Sequence, residues 1–276
     1  MIIDGRALAS SVLARTKVRA EALARAPRIA AVVTSETPAT KSYLAIKEKR
    51  AQDAGCVLDV VRFPENTPPE VLSTMLRSLV ADAILVQLPL ASDIDAKEVC
   101  DAIPLSKDAD VLSTSAREKF ERGDTDALLP PVVGAVREIL IQNSVGVKGK
   151  KAVVVGAGFL VGAPVATWLA QQGAEVEVAT LESEKYRSLT SVLKGADIVV
   201  SGAGAPHIIT PDMLKEGVVL IDAGTSESGG EVVGDASPGC AERCSLITPV
   251  PGGVGPLAVA CLFENAVILA ERAMNT

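Results

Sequence analysis

A chain of 276 residues, 48% hydrophobic and 22% charged, is long enough for about two domains with real cores. Lys and Arg number 27 against 34 Asp and Glu, and the resulting charge of −7 argues against a protein that grips nucleic acid through its phosphates. The mean hydropathy is +0.32 and residues 152–174 carry no charge, but Gly156, Gly158, Gly162 and Pro164 interrupt that run, which reads as strand, turn and helix rather than a membrane span.

Asp4 and Arg6 fall where a secretory signal needs an unbroken apolar run, so export is not expected. The five cysteines, Cys56, Cys100, Cys240, Cys244 and Cys261, show no paired framework and suit a reducing cytoplasm. Cys240 and Cys244 are close in sequence, but His207 is the single histidine and no metal site is expected. A Ser-His-Asp or Cys-His mechanism would depend on that one residue, which reads as part of a loop.

Hydrophobic periodicity alternates from the start. A helical pattern over residues 6–24 precedes an apolar run at 29–34 that reads as a buried strand. Helix-like 41–55 leads to a strand at 57–62, helix-like 69–79 to a strand at 83–88, and 95–102 reads as another helix. Such alternation implies parallel strands joined by helical crossovers. Residues 107–126 mix charges and read as a loop, which ends at Pro130 and Pro131, where the first domain boundary is placed. A helix over 132–142 follows. The second half restarts the pattern with strands at 152–155, 175–179, 198–201, 218–221 and 245–248 and helices at 161–172 and 190–194. After a turn-rich segment at 248–256, residues 258–274 form a long, mostly apolar helix that needs another surface to cover it.

Four places concentrate chemistry. From Lys151 an apolar strand runs into Gly156, Gly158 and Gly162, a spacing one residue longer than the usual dinucleotide fingerprint, and then into a helix whose N-terminus suits a pyrophosphate. Past the next strand, Glu182 favours the free ribose hydroxyl of NAD, whereas Lys185 and Arg187 suit the 2′-phosphate of NADP. In the first half, Tyr43 and Lys47 share a helix face, Gln87 ends a strand, and Lys107, Asp108 and Asp110 follow the next helix. Ligand crevices form at the carboxyl ends of parallel strands, so these groups can converge, and a buried lysine held by a glutamine carbonyl becomes a base near neutral pH. Finally, residues 248–256 hold three prolines and three glycines, a rigid loop that lets backbone lie against a flat ligand.

Taken in order, these segments resemble the bifunctional methylenetetrahydrofolate dehydrogenase/methenyltetrahydrofolate cyclohydrolase family over nearly the whole chain. The matching stretches are Tyr43 to Lys47 (Tyr-x-x-x-Lys), Val86 to Leu90 (Val-Gln-Leu-Pro-Leu), Lys107 to Val111, Gly156 to Pro164 and Pro249 to Pro256 (Pro-Val-Pro-Gly-Gly-Val-Gly-Pro). The resemblance implies an α/β fold of two α/β domains, the second Rossmann-like, with the C-terminal helix packing back on the first. It assigns residues 1–130 with helix 257–276 to a folate-binding catalytic domain and 131–256 to dinucleotide binding.

It further implies that Lys47 is the general acid/base, Gln87 its hydrogen-bonding modulator, Tyr43 a ring against the folate and Asp110 the carboxylate that grips the pterin. Leu88, Pro89, Pro251, Gly252, Gly253 and Pro256 join these four at the substrate. NADP or NAD would lie against Gly156, Ala157, Gly158, Phe159, Leu160, Val161 and Gly162, with Glu182, Gly202, Gly204 and Thr225. The implied protein is a cytoplasmic homodimer acting on tetrahydrofolate derivatives, with neither a nucleic-acid nor a membrane partner. The chain departs from the family pattern at Ala157-Gly158, where the family has Arg-Ser, at Leu129 to Val132 for Pro-Cys-Thr-Pro, at Val111 for glycine, and at Ala258 for threonine. Ala157 and Gly158 keep a second reading open, a cyclohydrolase with weak or lost dehydrogenase activity. A binding module without turnover is the third.

Overall fold

The computed structural model describes residues 1–34, 37–91, 94–180 and 188–274. In chain order its first elements are α1 (Gly5–Glu21), β1 (Arg28–Val33), α2 (Pro38–Asp53), β2 (Val57–Arg62), α3 (Pro69–Ser78), β3 (Ala83–Val86), α4 (Ala96–Asp101), α5 (Thr114–Glu121) and α6 (Pro131–Gln142). There follow β4 (Lys151–Val155), α7 (Gly162–Gln171), β5 (Glu175–Ala179), α8 (Leu189–Leu193), β6 (Ile198–Ser201), β7 (Val218–Asp222), β8 (Ser226–Ser228), β9 (Glu231–Val233), β10 (Cys244–Ile247) and α9 (Val254–Met274). They divide into two compact units, Ser10–Pro131 with Val259–Thr276 and Met1–Ala9 with Val132–Ala258.

The first unit is built on a parallel sheet of order β2-β1-β3. In the central strand β1, every residue after Arg28 is buried, which is why Arg-Ile-Ala-Ala-Val-Val shows no alternation. Ile29 pairs with Leu58 on one side and Ala83 on the other. Leu72 and Leu76 of α3 and Val99 of α4 pack with Val32 and Ile84. The later part of α9 belongs here too: Arg15 and Arg19 of α1 hold Glu264 and Glu271, the latter through two bonds of 2.9 and 2.6 Å. α9 is long and apolar enough to cross a membrane by length and composition, but 61% of that stretch is buried within the fold.

The second unit is a five-stranded parallel sheet of order β10-β7-β6-β4-β5. Because β4 lies between β5 and β6, the direction of winding reverses at β4, and a crevice opens at the carboxyl ends of β4 and β6. Met1–Ala9, assigned above to the first domain, groups with this unit for a backbone reason. The Met1 ammonium donates to the Ser245 carbonyl, and Ile3 and Ile247 continue a ladder alongside β10.

Three features differ from the sequence reading. Residues 107–126 are not all loop: α5 lies within them, capped by the Ser113 hydroxyl at the Ala116 amide and by Asp101 at the Thr114 amide. Its periodicity was masked because a buried position is the cation Arg117, beside Ala116 and Phe120. The turn-rich segment is shorter than expected, since α9 begins at Val254 and takes Pro256 into its first turn, where proline costs no intrahelical bond. The β8–β9 hairpin was not anticipated, although its turn, Gly229-Gly230 at φ +62° and +82°, is a dipeptide suited to that geometry.

Candidate active site

α2 starts at a proline and is capped by Thr37, whose hydroxyl accepts from the Thr40 amide at 3.1 Å. The helix carries both Tyr43 and Lys47; the Tyr43 side chain lies outside the described residues. The Lys47 ammonium donates to Gln87 Oε1 at 2.9 Å. Gln87 extends the β1–β3 pairing through its amide to the Val32 carbonyl, and its Nε2 donates to the Leu88 carbonyl at 2.7 Å. With the donor end of the amide engaged, only its oxygen faces the lysine. Leu88 and Pro89 follow directly, joined by a cis peptide, and Pro89 is exposed.

Burial pushes the Lys47 ammonium below the ordinary lysine range, opposed by the charge of Asp110. Burial likewise raises the Asp110 carboxyl, with Lys47 and Arg117 acting against the rise and Asp108 adding to it. Desolvation favours the neutral form of both groups. Asp108 instead braces the loop, where its carboxylate accepts from the Leu112 and Ser113 amides and the Ser113 hydroxyl at 2.7–3.1 Å. Lys107, expected to converge with these groups, donates to the Leu79 carbonyl at 2.7 Å. Lys47, Gln87 and Asp110 are therefore the members of the expected set that the first unit brings together.

In the second unit, Gly156 ends β4 at φ +93°, and its amide donates to the Ala179 carbonyl. A Cβ on Gly156 would meet the Gly202 carbonyl at 2.9 Å; one on Gly162 would collide with the Gly156 carbonyl, and one on Gly202 with the Val161 side chain. Gly204, at φ +64°, faces open space. Ala157, Gly158, Phe159 and Leu160 are exposed, and α7 begins immediately after Val161 with its N-terminal amides at the sheet's carboxyl edge. This is a cradle of backbone at the switch point, the arrangement that accepts a pyrophosphate. Thr225 is exposed at the end of β7, whereas Glu182, Lys185 and Arg187 lie outside the described residues.

Two buried carboxylates that sequence reasoning missed hold this edge. Asp235 accepts from the Ser201 hydroxyl at 2.6 Å and from the Ala203 and Ala205 amides at 2.7 and 2.8 Å, which fixes the loop containing Gly202 and Gly204. Asp222 accepts from the Gly224 and Ala236 amides, and burial together with Asp235 pushes its carboxyl up to about 6. The only trace in the sequence is the pairing of Gly224 and Gly234 with these aspartates: a Cβ at either glycine would strike the facing carboxylate. In the same unit, Gly252 is at φ +108°, Pro251 is exposed behind a cis peptide, and Gly253 packs on Thr248 and Pro249. Pro256 is partly exposed in the first turn of α9.

A glycine cradle at the switch point of one parallel sheet and, in the other unit, a half-buried lysine held by an amide oxygen at a strand's carboxyl end are the marks of a dinucleotide-dependent enzyme. Comparison with known proteins gives the family. Residues 3–110 match the model of the tetrahydrofolate dehydrogenase/cyclohydrolase catalytic domain, and residues 130–274 match its NAD(P)-binding domain. The bifunctional protein FolD of Moorella thermoacetica is 38% identical over 98% of this chain and 99% of its own. A crystal structure of the bifunctional FolD methylenetetrahydrofolate dehydrogenase/cyclohydrolase of Campylobacter jejuni superposes with a TM-score of 0.95 at 31% identity, covering 99% of both chains. The FolD of Trypanosoma brucei, complexed with NADP and an inhibitor, gives 0.91 at 31% identity over 100% of this chain and 99% of that one. The chain belongs to the tetrahydrofolate dehydrogenase/cyclohydrolase family.

Proposed function

We propose that this chain oxidises 5,10-methylenetetrahydrofolate to the 5,10-methenyl compound with NAD(P) and then hydrolyses that product to 10-formyltetrahydrofolate. In this reading the first unit binds tetrahydrofolate derivatives and the second binds the dinucleotide. The observation that carries it is the Lys47–Gln87 hydrogen bond, which sets a partly desolvated amine at the carboxyl end of a parallel sheet.

During hydrolysis water adds to the methenyl carbon, and Lys47 in its neutral form takes the water proton as the C–O bond forms. The resulting ammonium returns that proton to N5 as the C–N5 bond breaks, the hydroxyl proton of the adduct leaves to solvent as the C=O bond forms, and the formyl group stays on N10. Gln87 orients the amine throughout through its oxygen. Asp110 grips the pterin, Tyr43 lies against the folate, and Leu88 and Pro89 join them on the same unit; the family resemblance also assigns Pro251, Gly252, Gly253 and Pro256 to the substrate. The glycine turn fits a dinucleotide: a Cβ at Gly156, Gly162 or Gly202 would collide with neighbouring backbone or Val161, so glycine is what allows the tight strand-to-helix turn that brings backbone amides to a pyrophosphate. Gly156 to Gly162 would hold the pyrophosphate, Gly202, Gly204 and Thr225 would line the rest of the dinucleotide, and Glu182 would take the ribose hydroxyl. NAD(P), when bound, supplies the hydride acceptor. The net charge of −7 and five buried cysteines outside any disulfide support a cytoplasmic enzyme without nucleic-acid or membrane partners, and the family resemblance supports a homodimer.

The test is to incubate the protein with 5,10-methylenetetrahydrofolate and either NAD or NADP, following reduced nicotinamide and the methenyl product against a control without protein. Turnover with either cofactor is expected. Absence of turnover with both, combined with hydrolysis of the methenyl compound, would establish the second reading, a cyclohydrolase with weak or lost dehydrogenase activity. The exposed, uncharged Ala157 and Gly158 favour it.

A further inference from the structure

The residue after Asp110 is under backbone constraint. Val111 sits at φ +56°, in the left-handed region that a β-branched side chain disfavours most, and its side chain is buried. Such a conformation persists only where its surroundings over-determine it. On the amide side, Asp108 takes the Leu112 and Ser113 N–H groups. On the carbonyl side, Arg117 of α5 donates its Nε to the Val111 oxygen at 2.6 Å. Arg117 is itself buried, 8% exposed, an expensive place for a guanidinium unless it is bonded and faces negative charge.

We propose that Arg117 is a positioning residue for the Asp110 turn: by holding the Val111 carbonyl it keeps the valine left-handed and aims the Asp110 carboxylate at Lys47. This rests on the assignment of Lys47 and Asp110 to the reaction. The charges around the turn fit it. Asp110 faces Lys47 of α2, Asp108 of its own loop and Arg117 of α5, and Cys100 of α4 feels both aspartates. Arg117 faces Asp110, Asp108 and Glu121. Arg117 and Lys47 favour the ionised Asp110 that Asp108 and burial oppose.

The experiment measures kcat and KM for methenyl hydrolysis against pH for the wild type, Arg117→Met and Arg117→Lys, each with and without Val111→Gly, with Lys47→Met as control. Glycine adopts φ +56° without steric cost, so a turn that contains it no longer needs the clamp. Both Arg117 variants should lose roughly ten- to a hundredfold in kcat, and Val111→Gly should restore most of that loss. In Arg117→Met the acid limb of the profile should also move to higher pH, because Asp110 has lost a neighbouring cation; Arg117→Lys should leave it in place. Circular dichroism identifies folded variants, and Arg117→Lys carries the comparison if Arg117→Met does not fold. Wild-type kcat in a folded Arg117 variant, or a loss that Val111→Gly does not restore, would overturn the proposal. Those results alongside an inactive Lys47→Met reject the clamp alone, whereas a fully active Lys47→Met rejects the assignment on which it rests.

Discussion

Lys47 and Gln87, forty residues apart in the chain, meet in a single hydrogen bond of 2.9 Å whose polarity is fixed by a third group, the Leu88 carbonyl on the far end of the amide. A base that works as the neutral amine gains activity as pH rises through its pKa, so changing the partner moves the profile in a defined direction. Gln87→Glu places a negative charge on the ammonium and should raise its pKa by about one to three units, carrying the rise in hydrolysis rate to higher pH. Gln87→Met removes the acceptor and should carry it lower. Lys47→Met should reduce hydrolysis by roughly 10²- to 10⁴-fold without altering the circular dichroism spectrum. Rate–pH profiles of the three variants check all three statements.

Much of this site is legible in the sequence because its parts obey local rules. β1, β3, β4, β6 and β7 are short, continuous apolar runs, and their carboxyl ends carry Thr34, Gln87, Gly156, Gly202 and Ala223. Alternation of such runs with helices fixes parallel topology, and parallel topology fixes the edge where ligands bind. What stayed hidden depends on long-range partners. Arg117 reads as a surface charge until α5 is seen to bury it, and Asp235 reads as a loop residue until Ser201, Ala203 and Ala205 are seen to converge on it. Neither has a period or a spacing, since each serves a turn that is distant in sequence.

Asn265 illustrates the same dependence and can be tested through stability. From within α9 its Nδ2 donates to the Ala109 and Leu129 carbonyls, both at 2.9 Å, which ties the last helix to the loop that presents Asp110. Asn265→Leu keeps the volume but leaves the buried Ala109 carbonyl and the partly buried Leu129 carbonyl without this donor. At about 1–3 kcal/mol for the buried carbonyl, and about 1 kcal/mol for the one that water can reach, a loss of roughly 2–4 kcal/mol in unfolding free energy is expected by chemical denaturation.

Asp222 makes stability depend on pH. Its carboxyl is raised from an ordinary 3.8 to about 6, so the native state holds the proton more tightly than the unfolded chain. The stabilisation is complete below 3.8 and is lost as pH rises through about 6, the reverse of a salt-bridged aspartate. The shift corresponds to about 3 kcal/mol. The unfolding free energy of the wild type, relative to that of Asp222→Asn, should therefore fall by about this amount between roughly pH 4 and 7 and stay level above. A relative stability that rises over the same interval would contradict the raised carboxyl.

The glycine loop gives the sharpest test of cofactor choice. Ala157 is exposed at the mouth of the cradle, where a longer side chain has room to extend, and no residue from Gly156 to Gly162 carries a charge. Ala157→Arg introduces a guanidinium without displacing any packed group. A charge-assisted bond to the 2′-phosphate of about 1.5–3 kcal/mol would improve NADP affinity by roughly ten- to a hundredfold. NAD has no such phosphate and its affinity should change little. Titration of both dinucleotides by calorimetry reads the difference directly. An NADP affinity unchanged by the arginine would mean that the 2′-phosphate is held away from this loop, and the search for its partner would move to the residues that follow β5.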